Sequence, residues 1–276
     1  MTASDQHARA LRFAELHRGD DILVLPNAWD AGSARVIASV GFPAMATASA
    51  GVSWAYGMRD GEGLQRADAV TAVRQIAGAV ELPVTADIER GYGDTPDDVA
   101  ETIKQIVAAG AVGINIEDGV GRTQREIPDM QARIAAAREA AGDLLLWINA
   151  RVDGYLLGRT DDALYDDTVA RAAAWISAGA DSIFVPGPAD RELIARLVSD
   201  IAAPLNVIVV DDSTLAPAEL QWLGVKRISL GPRLIQAAFS ALEDAARSVR
   251  EEGSFRFLSS ARGFADLNRM MRKPEN

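Results

Sequence analysis

The chain contains no cysteine, so disulfides, thiolate zinc sites and a cysteine nucleophile are excluded. Its two histidines, His7 and His17, both fall in the first predicted helix, which argues against a histidine metal site or a Ser–His–Asp triad. Lysine is nearly missing: Lys104, Lys226 and Lys273 stand among 28 basic residues. None lies at the end of a predicted strand, so a Schiff-base aldolase or a pyridoxal phosphate enzyme has no obvious amine. No apolar run is long enough to span a bilayer. The opening "MTASDQHARA" has no apolar stretch of the signal-peptide kind, so a cytoplasmic location is expected. Positive charge is in deficit. A formal net charge of −11 gives no basic patch for nucleic acid or an anionic membrane, and solubility alone accounts for it.

With 49% hydrophobic residues, 276 residues can build a sizeable core. No Pro/Ser-rich linker or low-complexity tract divides the chain, so one domain over 1–276 is expected. A single pattern recurs: a short β-branched run, a turn, an amphipathic segment, then glycine. The predicted strands are 22–25, 44–49, 83–88, 113–118, 144–152, 182–187, 205–210 and 227–231. Between them, "ASVG", "VAAG", "ISAG" and "QWLG" place glycine where a helix ends on a left-handed residue. Strict alternation implies parallel strands with right-handed crossovers. Eight units in this length point to α/β architecture closed as a (β/α)8 TIM barrel. A doubly wound sheet would carry a G-x-G-x-x-G after an early strand, and "NAWDAGSARV" does not supply one. The tail, about 254–273, reads as an extra C-terminal helix used in oligomer contacts.

The active site of a parallel barrel lies at the carboxyl ends of its strands, and residues two apart share a face. "VTADIERGYG" puts Asp87 and Glu89 in phase at the exit of one strand. The next ends with Asn115 and Glu117 in phase, and the one after with Asn149, Arg151 and Asp153. "SAGVSWAYGMRDGEG" runs long and glycine-rich into Asp60 and Glu62. Several carboxylates sharing a low-dielectric mouth need a cation. Without histidine or cysteine, an all-oxygen set favours Mg2+ or Mn2+, held mostly through water. The alternative is that the acids are helix caps, as expected for Asp94, or partners of arginines. Asp118, out of phase with Glu117, is expected to be structural or to support the residues that line the site, and Arg151 has a second reading as a rim salt bridge.

"TASAGVSWAYGMRDGE", "VTADIERGYGD", "INIEDG" and "INARVD" resemble, in order and spacing, signature segments of the isocitrate lyase/phosphoenolpyruvate mutase superfamily, over about residues 20–235. The resemblance implies a (β/α)8 barrel, often with the last helix exchanged in a homodimer or homotetramer. It also implies Mg2+ and 2-oxo acid or enolate chemistry. Carried over by position, Asp87 resembles the principal metal ligand, with Glu89, Glu117 and Asp60 as further acids around the ion. Ser49, Ala50 and Gly51 match the segment whose amides hold the substrate carboxylate; for Gly51 a plain tight turn is the alternative. Arg151 matches the arginine that contacts the substrate or its leaving group. Together Arg151, Asp60 and Glu117 form the expected catalytic set.

The sequence departs from the family after the I-E-D strand. "EDGVGRTQREIPDM" has none of the Lys, Cys or His of the lyase K-[KR]-C-G-H loop, so isocitrate and methylisocitrate cleavage are not expected. It also lacks the Lys and Asn of phosphonomutases. The leading expectation is a Mg2+-dependent lyase or decarboxylase that cleaves a C–C bond in a small 2-oxo or 2-hydroxy dicarboxylate. The alternatives are P–C chemistry on a phosphonate (a phosphonomutase or phosphonopyruvate hydrolase) and a barrel that binds metal and 2-oxo acid without turnover.

Overall fold

The computed structural model describes residues 2–272 apart from 62, 189 and 213. Glu62 and Lys273 of the sequence reading therefore lie outside the described residues. Helix α1 (Ala3–Arg18) precedes two short strands, β1 (Leu23–Leu25) and β2 (Asn27–Ala28). Next come α2 (Ala31–Val40), β3 (Met45–Thr47), α3 (Ser49–Ala55), α4 (Arg66–Ala79), β4 (Val84–Asp87) and α5 (Pro96–Ala108). After β5 (Gly113–Glu117), a loop carries β6 (Gly119–Val120) and β7 (Thr123–Gln124) before α6 (Ile127–Ala140). The chain continues through β8 (Trp147–Arg151), α7 (Leu164–Ser177), β9 (Ser182–Phe184), α8 (Arg191–Asp200), β10 (Leu205–Ile208) and α9 (Pro217–Trp222). It finishes with β11 (Arg227–Ser229), α10 (Arg233–Glu252), a 3-10 turn at Arg256–Ser259 and α11 (Phe264–Met270).

The main sheet runs β1-β11-β10-β9-β8-β5-β4-β3-β2, with parallel neighbours. β1 and β2 are two halves of one stave interrupted at Pro26, which has no N–H to give the ladder. One half pairs with β11 and the other with β3, so the sheet closes on itself as a (β/α)8 barrel. The predicted helix-ending glycines are all left-handed: Gly41, Gly110, Gly179 and Gly224 have φ of 97°, 103°, 109° and 94°. The tail is a 3-10 turn followed by a short helix, rather than one extra helix.

The two faces of the staves differ. Ile114, Ile116, Ile148, Ala150 and Ile183 point outward into one apolar layer shared with the helices. The buried polar residues Thr85, Asn115, Asn149, Ser182, Asn206 and Arg227 also lie on the staves, where a barrel more often packs Val, Ile and Leu. Helix α1 plugs the amino-terminal end. Phe13 is fully buried, and the His17 ring stacks on Trp147 with centroids 4.2 Å apart. Gly113 is required there, because a Cβ would come within 2.9 Å of both Phe13 and Thr85. Among the described residues, no helix is long and apolar enough to cross a membrane.

Candidate active site

Strand β4 delivers Asp87 to the carboxyl-terminal rim, in register with Asn115 of β5. Its backbone N–H donates to the Thr47 hydroxyl at 2.9 Å, which ties it to β3. One carboxylate oxygen accepts from the Ser49 hydroxyl at 2.8 Å and the Ser49 amide at 3.2 Å; the other accepts from the Glu89 amide at 3.2 Å. Asp60, on the loop after α3, is solvent-accessible but faces Asp87 across the mouth. Enclosure, and then the like charge of Asp87, push its carboxyl upward, while the Ser49 hydroxyl and Arg151 pull the other way. The Ser49 hydroxyl thus bonds Asp87 and lies near enough to Asp60 to favour its charge.

One layer above Asp87, Glu117 pairs in register with Arg151. Arg151 Nη2 lies 2.7 Å from Glu117, and Arg151 Nε and Nη2 donate to Asp153 at 2.5 and 3.0 Å. Burial acts against the guanidinium charge, but Glu117 and Asp153 outweigh it and hold Arg151 protonated. For Glu117 burial dominates and raises the carboxyl well above its ordinary value, against the pull of Arg151. Asp60, Arg90, Glu117, Arg151, Asp153 and Leu157 help line a cavity of about 350 Å3 at this rim.

The loop after β5 is a hairpin of β6 and β7 tied down on its outer side. Asp118 is fully buried and accepts from the Asp153 amide at 2.9 Å, Gln124 at 3.0 Å and Arg171 at 3.1 Å. Asp118 is therefore the structural residue that its phase implied. Gly119 is held against Asp153, whose carboxylate oxygen would lie 2.3 Å from a Cβ there.

The remaining site residues fall as follows. Ser49, Ala50 and Gly51 form the first turn of α3; the strand predicted over 44–49 stops at Thr47, so Ser49 is not at its end. The Ser49 amide already serves Asp87, whereas Ala50 and Gly51 occupy positions whose amides have no intrahelical acceptor. Gly51 also has a packing reason, since a Cβ would approach Trp29, Ala48 and Ile235 within 3.3–3.4 Å. The in-phase argument for Glu89 fails. β4 ends at Asp87, and Glu89 turns out of the strand with φ of 50°. Its buried carboxylate accepts from the Tyr92 hydroxyl at 3.1 Å. Arg151 and Glu117 are the rim salt bridge weighed for Arg151, inside the cavity. Asp94 is a turn residue; Thr95 caps α5 in a box with Asp98. Asn206 serves the barrel interior, donating to Ser229 at 3.1 Å. Among the described residues no three acids sit close enough to enclose an ion by themselves. Sequence reasoning placed Asp153 in phase with Arg151 but gave it no role, and it left out the buried Arg227.

Other proteins share this fold. A crystal structure from Burkholderia cenocepacia superposes with a TM-score of 0.92 at 39% identity, covering 99% of both chains. An oxaloacetate decarboxylase of Paraburkholderia xenovorans is 28% identical over 249 residues, 87% of this chain and 81% of its own. A phosphonopyruvate hydrolase solved with oxalate and Mg2+ has the same fold, with a TM-score of 0.86 at 23% identity, covering 95% of this chain and 94% of its own. A family model described as phosphoenolpyruvate phosphomutase matches residues 13–250. The chain belongs to that family, whose members and structural neighbours are lyases and mutases of the isocitrate lyase/phosphoenolpyruvate mutase superfamily.

Proposed function

We propose that the chain is a Mg2+-dependent lyase or decarboxylase that cleaves a C–C bond in a small 2-oxo dicarboxylate, with oxaloacetate the first substrate to test. The observation that carries this reading is the pair Asp60 and Asp87, two carboxylates facing one mouth, where enclosure and then the charge of Asp87 raise the Asp60 carboxyl. An oxygen-only donor set under mutual repulsion fits a hard divalent ion. Since no three acids converge closely, Asp87 is its direct anchor, while Asp60, Glu117 and Glu89 act through water or the bound substrate. Mn2+ satisfies the same donors. When bound, such an ion polarises the 2-oxo carbonyl as a Lewis acid.

The chain's own residues supply the rest. The Ala50 and Gly51 amides orient the substrate carboxylate, and Ser49 holds Asp87 in one rotamer. Arg151, kept charged and immobile between Glu117 and Asp153, meets the carboxylate that departs as CO2. Electrons of the broken C–C bond pass to the 2-oxo oxygen, and a proton then adds at carbon to give pyruvate.

Asp87→Ala should abolish Mg2+-dependent pyruvate release, by roughly a thousandfold or more, and leave the fold intact by circular dichroism. Near-normal turnover in that variant would reject the metal assignment. Phosphonopyruvate separates the P–C alternative, because phosphate release or isomerisation to phosphoenolpyruvate overturns C–C cleavage. Mg2+-dependent oxalate binding without turnover on a broad 2-oxo acid panel would mark a non-catalytic barrel.

The protein is further proposed to work as a homodimer or homotetramer. Helix α10 is amphipathic over 20 residues, but only Ile235 of it is buried. Phe239, Leu242 and Val249 remain exposed on it, at 44%, 65% and 39%. An apolar groove lined by Trp29, Val36, Ile37, Val40, Phe42 and Leu234 lies beside the root of α10 and matches such a helix from a second copy.

A further inference from the structure

Beneath the site, four staves carry a chain of hydrogen bonds whose direction can be worked out from its ends. Tryptophan and arginine side chains hold only donors. Trp147 Nε1 donates to Ser182 Oγ at 2.8 Å, so the Ser182 proton must go onward, to Asn149 Oδ1 at 2.7 Å. With its oxygen taken, Asn149 turns its amide nitrogen to Asn115 Oδ1 at 2.9 Å. From the other side Arg227 Nη2 donates to the same Asn115 oxygen at 3.1 Å. Both ends drive donors toward Asn115, so its carbonyl must face into the barrel. Its amide nitrogen has no acceptor among the described residues and is not among the atoms sealed from solvent. Asn115 is also in register with Asp87.

Arg227 is an expensive way to hold an amide. It is 1% exposed, and its Nε and Nη1 have no protein partner among the described residues. A leucine would fill such a space without stranding donors, so the guanidinium needs a reason. Orientation supplies one. An asparagine amide rotated by half a turn keeps its shape but swaps donor for acceptor, and beside Asp87 an acceptor would repel a substrate oxygen.

We propose that Arg227 is a positioning residue, which holds the Asn115 carbonyl inward so that the Asn115 amide N–H2 faces the mouth beside Asp87 as a donor to an oxygen of the bound 2-oxo acid. This rests on the proposed function above, and it adds Asn115 as a substrate contact that the acidic rim alone does not provide.

The test is a double-mutant cycle on the full chain, read by calorimetric titration of oxalate in saturating Mg2+. Asn115→Ala should weaken oxalate roughly tenfold to a hundredfold, the range for one hydrogen bond to a charged group. Arg227→Met should weaken it comparably, Arg227→Lys should recover part of the loss, and the double variant should bind no more weakly than either single one. If Arg227→Met does not fold by thermal melt, Asn149→Ala removes the other donor to the same oxygen and takes its place in the cycle. Unchanged binding in Asn115→Ala, or losses that add in the double variant, overturns the inference while leaving the site reading in place. A wild-type chain that binds no oxalate overturns the site reading and this one with it.

Discussion

Arg151 shows how one side chain can satisfy two readings. It is a salt-bridged rim residue, and it lines the cavity. The fork geometry reconciles them, because Nε and Nη2 grip Asp153 while Nη2 also meets Glu117, leaving the group fixed and charged. A lysine is a point charge on a flexible stem and cannot hold both acids in one plane. Arg151→Lys should therefore lower kcat/KM for the active 2-oxo acid by roughly a hundredfold, on the order of losing one preorganised donor. Steady-state kinetics check this, and a change under threefold would remove Arg151 from the reaction. Glu89 teaches the reverse lesson. Phase along a strand says where a side chain points only while the strand lasts, and this one stops two residues earlier.

Helix α1 matters through what it inserts. His17 is 1% exposed, stacked on Trp147, with Nδ1 2.8 Å from the Phe13 carbonyl and Nε2 without a partner. Burial, and then the nearby charge of Arg227, lower its pKa from 6.5 to about 3. The folded plug therefore keeps His17 neutral while the unfolded chain takes up a proton near pH 6.5. Between those values the unfolded state binds more protons, so stability falls as pH drops from about 6.5 toward about 3, by ~1.4 kcal/mol per pH unit. His17→Phe keeps the ring stack and has no such proton. Urea unfolding at pH 7 and pH 5 should show the wild type losing ~2 kcal/mol more than the variant. Equal losses would show that the plug does not titrate.

Helix α10 departs from the barrel with its apolar stripe uncovered, and the tail adds Phe255, Leu258 and Phe264, exposed at 62%, 60% and 84%. Such an uncovered apolar stripe fits the proposed association between copies. Leu242→Asp places a charge in its middle. Sedimentation should show the wild type as a dimer or tetramer and the variant shifted toward monomer by at least tenfold in dissociation constant, the effect of roughly 1.4 kcal/mol. An unchanged assembly would place the interface elsewhere.

The alternation of β-branched runs with glycine-ended helices was enough to read a closed parallel barrel, because both periods and the left-handed caps are local properties of the chain. The same holds for Asp87 and Glu117, which counting by two places at stave ends, but not for Glu89, which lies past the end of its strand. What neighbours do to those acids is not local. Glu117 meeting Arg151, Ser49 bonding Asp87 near Asp60, and Arg227 reaching Asn115 across 112 positions all depend on register between staves. Register arises from closure, a property of the complete ring, and no window of sequence contains it.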